Sequence, residues 1–476
     1  MKILAFDIGT SSVRAAIYDP GVDWSREVVG QVALEVHRPE PGAARLEPKE
    51  VQAAADELFK KALAQLQASG EREVWVSAAA FWHSLLGLDA ERKPVTPCWI
   101  WEDTEAEGAV GFMQDEHIGG LQATGCPISF VFWPTRIFWH RGRFKKEHAK
   151  VAHWVSLPDV VLEGLGLLET GVTSLSMASG TGLVRRAKGT WAAEVMNRIP
   201  MELQALPRID NKLTERSIGG IGFKTLPPIG DGAAGTLGSG VSPEKDTLAL
   251  NFGTSAAVRG MCSQAAERVP PGLFEYRLDA GRWILGGAVN NAGNLFEWAR
   301  ETLRVSENPA ELEVALAARP GPITNLTVLP FFAGERTPYW RGDLTGSFVG
   351  LTFKHSALDI LQASQEATFY ALREIAELLD PTGVCEVVVS GGLTRSPASL
   401  QRLSHILARP VVVLEEQEVS LFGAVLFAAE WAGLEAPEGR RGRVYLPEPE
   451  LVKRFDQVRK GHLEAAGRYV QGMGSD

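Results

Sequence analysis

At 476 residues the chain is longer than a single hydrophobic core usually serves, so two domains are expected. Hydrophobic residues at 45% and charged residues at 22% are ordinary for a soluble globular protein, and a formal net charge of -10 argues against a broad nucleic-acid-binding surface. No apolar run reaches the ~18 residues of a membrane span, and the four cysteines (Cys98, Cys126, Cys262, Cys385) form no CxxC pair, so buried thiols in a reducing cytoplasm are expected.

In chain order, Met1 to Phe6 is a short apolar run ending at Asp7, Gly9-Thr10-Ser11-Ser12 reads as a turn, and Val13 to Tyr18 as a second strand. The chain therefore opens with a β-hairpin. Pro48 to Ala68 has apolar positions at helical spacing, and Val74 to Ala80 is a strand entering Phe81-Trp82-His83-Ser84. The aromatic stretch Phe130 to Trp139 suits either packing between helices or an aromatic wall beside a pocket. Pro227 to Gly235 is a glycine-rich turn containing Asp231, and Gly238 to Pro243 reads as a linker-like break. Thr247 to Phe252 then opens a second strand–turn–strand unit. Val384 to Ser390 is an apolar strand entering Gly391-Gly392, followed by helical patterns over Thr394 to Ala408 and Ser420 to Trp431. The charged, proline-containing tail from Pro437 is expected on the surface. Strands alternating with helices imply mixed α/β layers.

One phrase occurs twice. Phe6-Asp7-Ile8-Gly9-Thr10-Ser11-Ser12-Val13-Arg14 returns as Leu250-Asn251-Phe252-Gly253-Thr254-Ser255-Ala256-Ala257-Val258, about halfway along the chain. Gly-Thr-Ser turns suit phosphate, because small residues let backbone N–H groups approach and hydroxyls add donors. Asp7 ends its strand where it could hold Mg²⁺, through water, and Arg14 could offset phosphate charge. The usual phosphate loop, Gly-x4-Gly-Lys-Ser/Thr, and the protein-kinase motifs are absent, so phosphate would be held by the hairpins. Asp231 could take the proton of an attacking hydroxyl. An aspartate that only stabilises an Asp-Gly turn fits the same residues.

These motifs, with His83-Ser84, Trp101-Glu102-Asp103, Gly346-Ser-Phe-Val-Gly350 and Ser390-Gly391-Gly392, resemble the FGGY carbohydrate kinases of the actin-like ATPase superfamily. Gly286 to Gly293, Ala333 to Pro338 and Gly391 to Ser396 are most similar to the gluconate kinases within it. The resemblance implies two ribonuclease-H-like α/β domains facing a central cleft. Residues 1–240 would carry the sugar pocket and first hairpin, and 241–476 the second hairpin and adenosine site. It further implies Asp231 as catalytic base and Asp7 near Mg²⁺. Thr10, Ser11, Ser12, Arg14 and Thr254 would surround the ATP phosphates, and Gly293, Glu297 and Gly392 the adenosine end. His83, Trp101, Asp103 and Asn291 would line the sugar pocket.

Chemically, His83 could donate to a hydroxyl or, if protonated, to a carboxylate, and Trp101 offers an apolar platform. Asn290, Asn291 and Arg336 suit either substrate contact or loop capping, and an arginine there would suit a sugar acid. Three positions depart from the family pattern: Glu105 where arginine is usual, Ser174 where aspartate is usual, and Thr345 where arginine is frequent. They bear on which sugar is used. The expected partners are therefore a small sugar or sugar acid and ATP, with neither nucleic acid nor membrane, and a homodimer on general frequency. The alternatives are a xylulose, other pentulose or polyol kinase, and a sugar-responsive ATP-binding regulator without turnover.

Overall fold

The structure, a computed structural model, describes residues 1–115, 120–199, 201–306 and 308–472. Two seven-stranded sheets dominate it. In the first, Ser25–Ala33, Ser12–Asp19 and Lys2–Ile8 run antiparallel in turn, and Glu73–Ala80 and Ile221–Thr225 then add in parallel. In the second, Trp283–Val289, Ala256–Cys262 and Thr247–Phe252 are antiparallel, and Glu386–Gly391 and Val411–Leu414 add in parallel. The repeated phrase is thus the start of a repeated topology, with two ribonuclease-H-like units as the sequence implied.

Side-chain alternation explains how the layers stack. Along Lys2–Ile8, Leu4, Phe6 and Ile8 point to an outer core completed by the helix Pro48–Ala68, while Ile3 and Ala5 point inward. Thr247–Phe252 repeats this, with Leu248, Leu250 and Phe252 outward and Ala249 inward. The inner faces are rich in alanine (Ala5, Ala16, Ala79, Ala257, Ala288), so two helices fit closely between the sheets: Asp231–Gly238 and Val419–Ala432. These two cross at backbone contact. A Cβ placed on Gly423 would lie 1.8 Å from the Ala234 carbonyl oxygen, and one on Gly238 would lie 2.2 Å from that of Val419.

Several expectations need correction. The tail is structural: Arg441–Tyr445 extends the second sheet against Val411–Leu414, and the helix Pro449–Gly472 buries Phe455, His462 and Ala466. Its charges lie on the outer face of an amphipathic helix. The segment 238–243 is a packed turn between buried Leu237 and Val241, with Gly240 at φ +75°. Cys98 and Cys126 are buried as expected, but Cys262 and Cys385 are half-buried. The helix expected from Thr394 begins at Pro397, after a 3₁₀ turn at Gly392–Arg395. The Phe130–Trp139 stretch is chiefly packing: Phe130, Phe132, Trp133 and Ile137 are buried, and Trp133 Nε1 donates to the Ser84 carbonyl at 2.8 Å. No helix among the described residues is long and apolar enough to cross a membrane.

The helix crossing makes a direct prediction. Gly423→Ala forces the two backbones apart and should destabilise the protein by ~1–3 kcal/mol. Gly461→Ala, on an exposed helical face with nothing within 4 Å, should stabilise by up to ~1 kcal/mol. Thermal unfolding midpoints of the two variants, moving in opposite directions, check this.

Candidate active site

Asp231 is delivered by the first sheet. Ile229 and Gly230 pair with Ala79 and Ala80 at the end of Glu73–Ala80, and the helix starts at Asp231 itself. The residue is therefore not within a turn, as its glycine neighbours suggested, but is a half-buried helix-start residue. The glycines have a different purpose. A Cβ on Gly230 would come within 1.9 Å of the Trp82 indole, and one on Gly232 within 2.7 Å. Trp82 is pinned in turn: its Nε1 donates to the Ser176 carbonyl at 3.0 Å, and Ser176 Oγ accepts the Gly230 N–H at 3.0 Å.

The Gly232 N–H donates to Asp231 Oδ1 at 2.7 Å, and the helix N-terminus adds favourable potential for negative charge. Burial nevertheless raises the Asp231 pKa above the ordinary carboxylate value, against the opposing pull of Arg259, the Gly232 and Trp82 N–H groups, and Arg336. A carboxylate with a raised pKa is a stronger base than one in water.

Beside it, Asp7 and Arg14 are cross-strand partners in the first hairpin. Arg14 Nη1 lies 3.2 Å from Asp7 Oδ2 and 3.0 Å from Glu418 Oε2. Burial pushes the Asp7 pKa up to about 7, with the carboxylates of Asp231 and Glu418 adding to the rise. In the turn, Gly9 N–H donates to the Ser12 carbonyl at 3.0 Å, and Ser12 is buried, so Thr10 and Ser11 are the accessible hydroxyls. The second turn is tighter: Gly253 N–H donates to the Ser255 carbonyl at 2.9 Å, leaving Gly253 and Thr254 exposed.

Gly293 and Gly391-Gly392 converge on this second turn. The Gly293 N–H donates to the Gly253 carbonyl at 3.0 Å, and a Cβ on Gly293 would lie 2.5 Å from that oxygen. Gly391, at φ +90°, approaches the Phe252 carbonyl as closely, and Gly392 is exposed beside it. Glu297 stands one turn along the helix Gly293–Thr302, exposed and paired with Arg300 at 3.1 Å.

The sugar-side residues divide. His83 Nδ1 lies 2.8 Å from the Gly180 carbonyl, which can only accept, so Nδ1 carries the proton and Nε2 is left as an acceptor. Burial lowers its pKa to about 3. The expected donor to a hydroxyl or carboxylate is thus a neutral acceptor. Trp101 is half-buried, with the Arg336 guanidinium 4.8 Å above its ring.

Asp103 is 1% exposed and accepts the N–H groups of Ala44 and Glu105 at 2.9 and 3.2 Å. Asn291 is equally buried and clamps a loop, accepting from Ala333 N–H at 3.0 Å and donating to the Gly334 carbonyl at 2.9 Å. Both are spent on backbone.

The three departures also find local uses. Glu105 pairs with Arg45 at 2.7 Å. Ser174 caps the helix Leu175–Ser179, accepting from Met177 N–H at 2.9 Å, as an aspartate would. Thr345 Oγ1 lies 2.7 Å from the Tyr469 hydroxyl. Four residues that the sequence did not single out stand in the site: Trp82, Arg259, Tyr276 and Glu418. Arg259 was detectable as a lone cation in the apolar strand Ala256–Cys262. Trp82 and Tyr276 are buried and carry no sequence signal that separates them from core aromatics.

A carboxylate at a helix start, set between two Gly-Thr-Ser hairpins on duplicated sheets, defines a two-domain kinase of the actin-type ATPase fold. The chain belongs to the FGGY family of carbohydrate kinases: residues 2–221 match its N-terminal domain and residues 248–431 its C-terminal domain. It is a sugar kinase. The gluconokinase of Bacillus subtilis (strain 168) is 28% identical over 452 residues, 89% of this chain and 86% of that protein. A gluconate kinase and a ligand-bound xylulose kinase, both crystal structures from Lactobacillus acidophilus, superpose with TM-scores of 0.86 and 0.87. Each is 25% identical, with 98% of both chains covered.

The His83 environment is open to direct measurement. Its imidazole should show no protonation between about pH 5 and 8 in a ¹³C-histidine NMR titration. A midpoint near the ordinary value of 6.5 would contradict the assignment.

Proposed function

We propose that this kinase phosphorylates a hydroxyl of a small sugar acid, gluconate-like in size and charge, with Asp231 as general base. One observation carries the choice of an acid. Around Asp231, Arg259 and Arg336 bring two positive charges against one carboxylate, while His83 is neutral. Burial pushes neighbouring Glu335 up to about 8, so at neutral pH it is mostly protonated and leaves Arg336 uncompensated. The sugar side thus carries an excess cation. Arg336 Nε donates to Asn290 Oδ1 at 2.7 Å and Nη2 to the Val289 carbonyl at 3.2 Å, leaving Nη1 available to a substrate carboxylate. The cation that Glu105 removes from the family pattern is in effect returned from the other half of the molecule. The gluconate kinases among the relatives agree with this reading, and the xylulose kinase names its rival.

The phosphate side has the opposite balance, with Asp7 and Glu418 against Arg14. Among the described residues no three acidic, histidine or cysteine side chains cluster as a metal cage. A Mg²⁺ ion at Asp7 would therefore rely on phosphate oxygens and water, as this hard cation commonly does. When bound it would offset charge on the ATP phosphates. Thr10, Ser11 and Thr254 would donate to those phosphates, Arg14 would counter their charge, and Gly293, Glu297 and Gly392 would line the adenosine end. Asp231 takes the proton of the attacking hydroxyl, and closure of the 1–240 half on the 241–476 half excludes water.

Asp231→Asn should lower kcat by about 10²–10⁴ with the ATP dissociation constant unchanged by calorimetry. Across gluconate, xylulose, ribulose, glycerol and erythritol, gluconate should give the highest kcat/KM. Arg336→Met should raise its KM by roughly 10- to 100-fold. A preference for xylulose, with Arg336→Met neutral, would overturn the sugar-acid reading.

A further inference from the structure

Arg259 has a local geometry that binding a sugar acid does not require. It lies on Ala256–Cys262, the strand leaving the second phosphate turn, directly opposite Gly286 on Trp283–Val289. A Cβ on Gly286 would lie 2.9 Å from Arg259 Cγ, and one on Gly232 would lie 2.8 Å from Arg259 Cζ. Two glycines, one from each half of the molecule, therefore make the lane along which this side chain reaches Asp231. At its end the guanidinium is unspent: Nε is buried without a hydrogen-bond partner, and no carboxylate of the described residues lies within 4.0 Å of its nitrogens.

The buried Tyr276 hydroxyl beside it is also without a partner. The charged and titratable groups around the pair are Asp231, Arg336, Tyr276 and His83, with Asp7 near Asp231. A half-buried guanidinium facing a carboxylate without closing on it leaves a position between them for an oxygen that gives a proton to one and accepts a hydrogen bond from the other.

We propose that Arg259 is a second catalytic residue, donating to the attacking hydroxyl oxygen while Asp231 removes that oxygen's proton. The O–H proton passes to the Asp231 carboxylate, and the oxygen's electron pair forms the new bond to the γ-phosphorus of ATP. The bond from that phosphorus to the bridging oxygen breaks, its electron pair leaving with ADP. Arg259 stabilises the oxygen as negative charge develops on it, when a fixed donor in a buried site is most effective. It also holds Asp231 ionised, since its charge is the largest factor opposing the effect of burial on that carboxylate. Because the same strand follows the Thr254 turn, phosphate seating and base activation are carried by one rigid element.

This role rests on Asp231 being the base, so the two are tested side by side. The pH dependence of kcat and the KM of sugar and ATP are measured for the intact protein and for Arg259→Met, Arg259→Lys and Asp231→Asn. Whichever sugar of the panel turns over serves as substrate, so failure of the sugar-acid reading leaves the test standing. Arg259→Met should lower kcat by about 10²–10³ and move the acid limb up by about one pH unit or more, with the sugar KM changed less than about threefold. Arg259→Lys should recover at least roughly tenfold of the loss and return the limb toward its original position. If the methionine variant does not fold, Arg259→Gln takes its place. An unshifted acid limb with the whole effect in sugar KM would reduce Arg259 to a substrate anchor and overturn the proposal, as would unchanged kinetics. An active Asp231→Asn would overturn the base itself; an inactive Asp231→Asn beside a normal Arg259→Met would overturn Arg259 alone.

Discussion

The close crossing of Asp231–Gly238 and Val419–Ala432 is the contact on which the rest of the molecule depends. One helix follows the last strand of the first sheet and the other comes late in the second half. Each lies between both sheets, in a single core. Gly423 and Gly238 let the backbones touch, and alanines on the inner sheet faces let both sheets close over the pair. The two helices also start at the same place. Asp231 begins one, Glu418 precedes the other, and Ser420 Oγ donates to the Asp231 carbonyl at 3.3 Å. Helix contact thus fixes the surroundings of Asp231 as well as the core, so a side chain added at the crossing would be felt at Asp231.

From that fixed point the cleft acquires its electrical asymmetry. The helix start and Arg259 favour the Asp231 carboxylate, while burial opposes it. Toward the first hairpin, two carboxylates meet one arginine. Toward Trp101, two arginines meet one carboxylate, because burial holds His83 neutral against the opposing pull of the Gly180 carbonyl. In a site of low effective dielectric such imbalances are costly unless a ligand completes them. A cation-bound polyphosphate on one side and an anionic sugar on the other would each relieve one imbalance. In the proposed reaction Asp231 would sit where the two meet.

How much of this was legible in the sequence depends on how far apart the interacting residues lie. The hairpins at Asp7–Arg14 and Thr247–Val258 and the helix Pro48–Ala68 were readable because their signals are local: period, turn chemistry and a repeated phrase. The tail lies on the surface as expected, but its helix and sheet contact were missed because its charges were weighed above its spacing; Phe455, His462 and Ala466 recur at helical intervals. The glycines around Asp231 suggested a turn, yet they are there because Trp82, some 150 residues earlier in the chain, lies against them. The His83 proton was unreadable for a similar reason, since the Gly180 carbonyl that decides it is distant in sequence. Asp103 and Asn291 carried the right chemistry for a sugar contact, but distant backbone groups claimed it first.

Asp231 illustrates the general point. In the sequence it was one carboxylate in a glycine-rich stretch, equally suited to a turn or to catalysis. The geometry differs from a simple turn: the residue starts a buried helix and its glycines admit an indole on one side and a guanidinium on the other. A carboxylate that only stabilised a turn would have no need of a tryptophan floor, or of an arginine brought through a two-glycine lane from the other half of the molecule. Those features constrain the surroundings of one side chain at the expense of packing freedom in both halves. Such constraint suits the proposed role, in which a proton leaves one oxygen as that oxygen meets phosphorus.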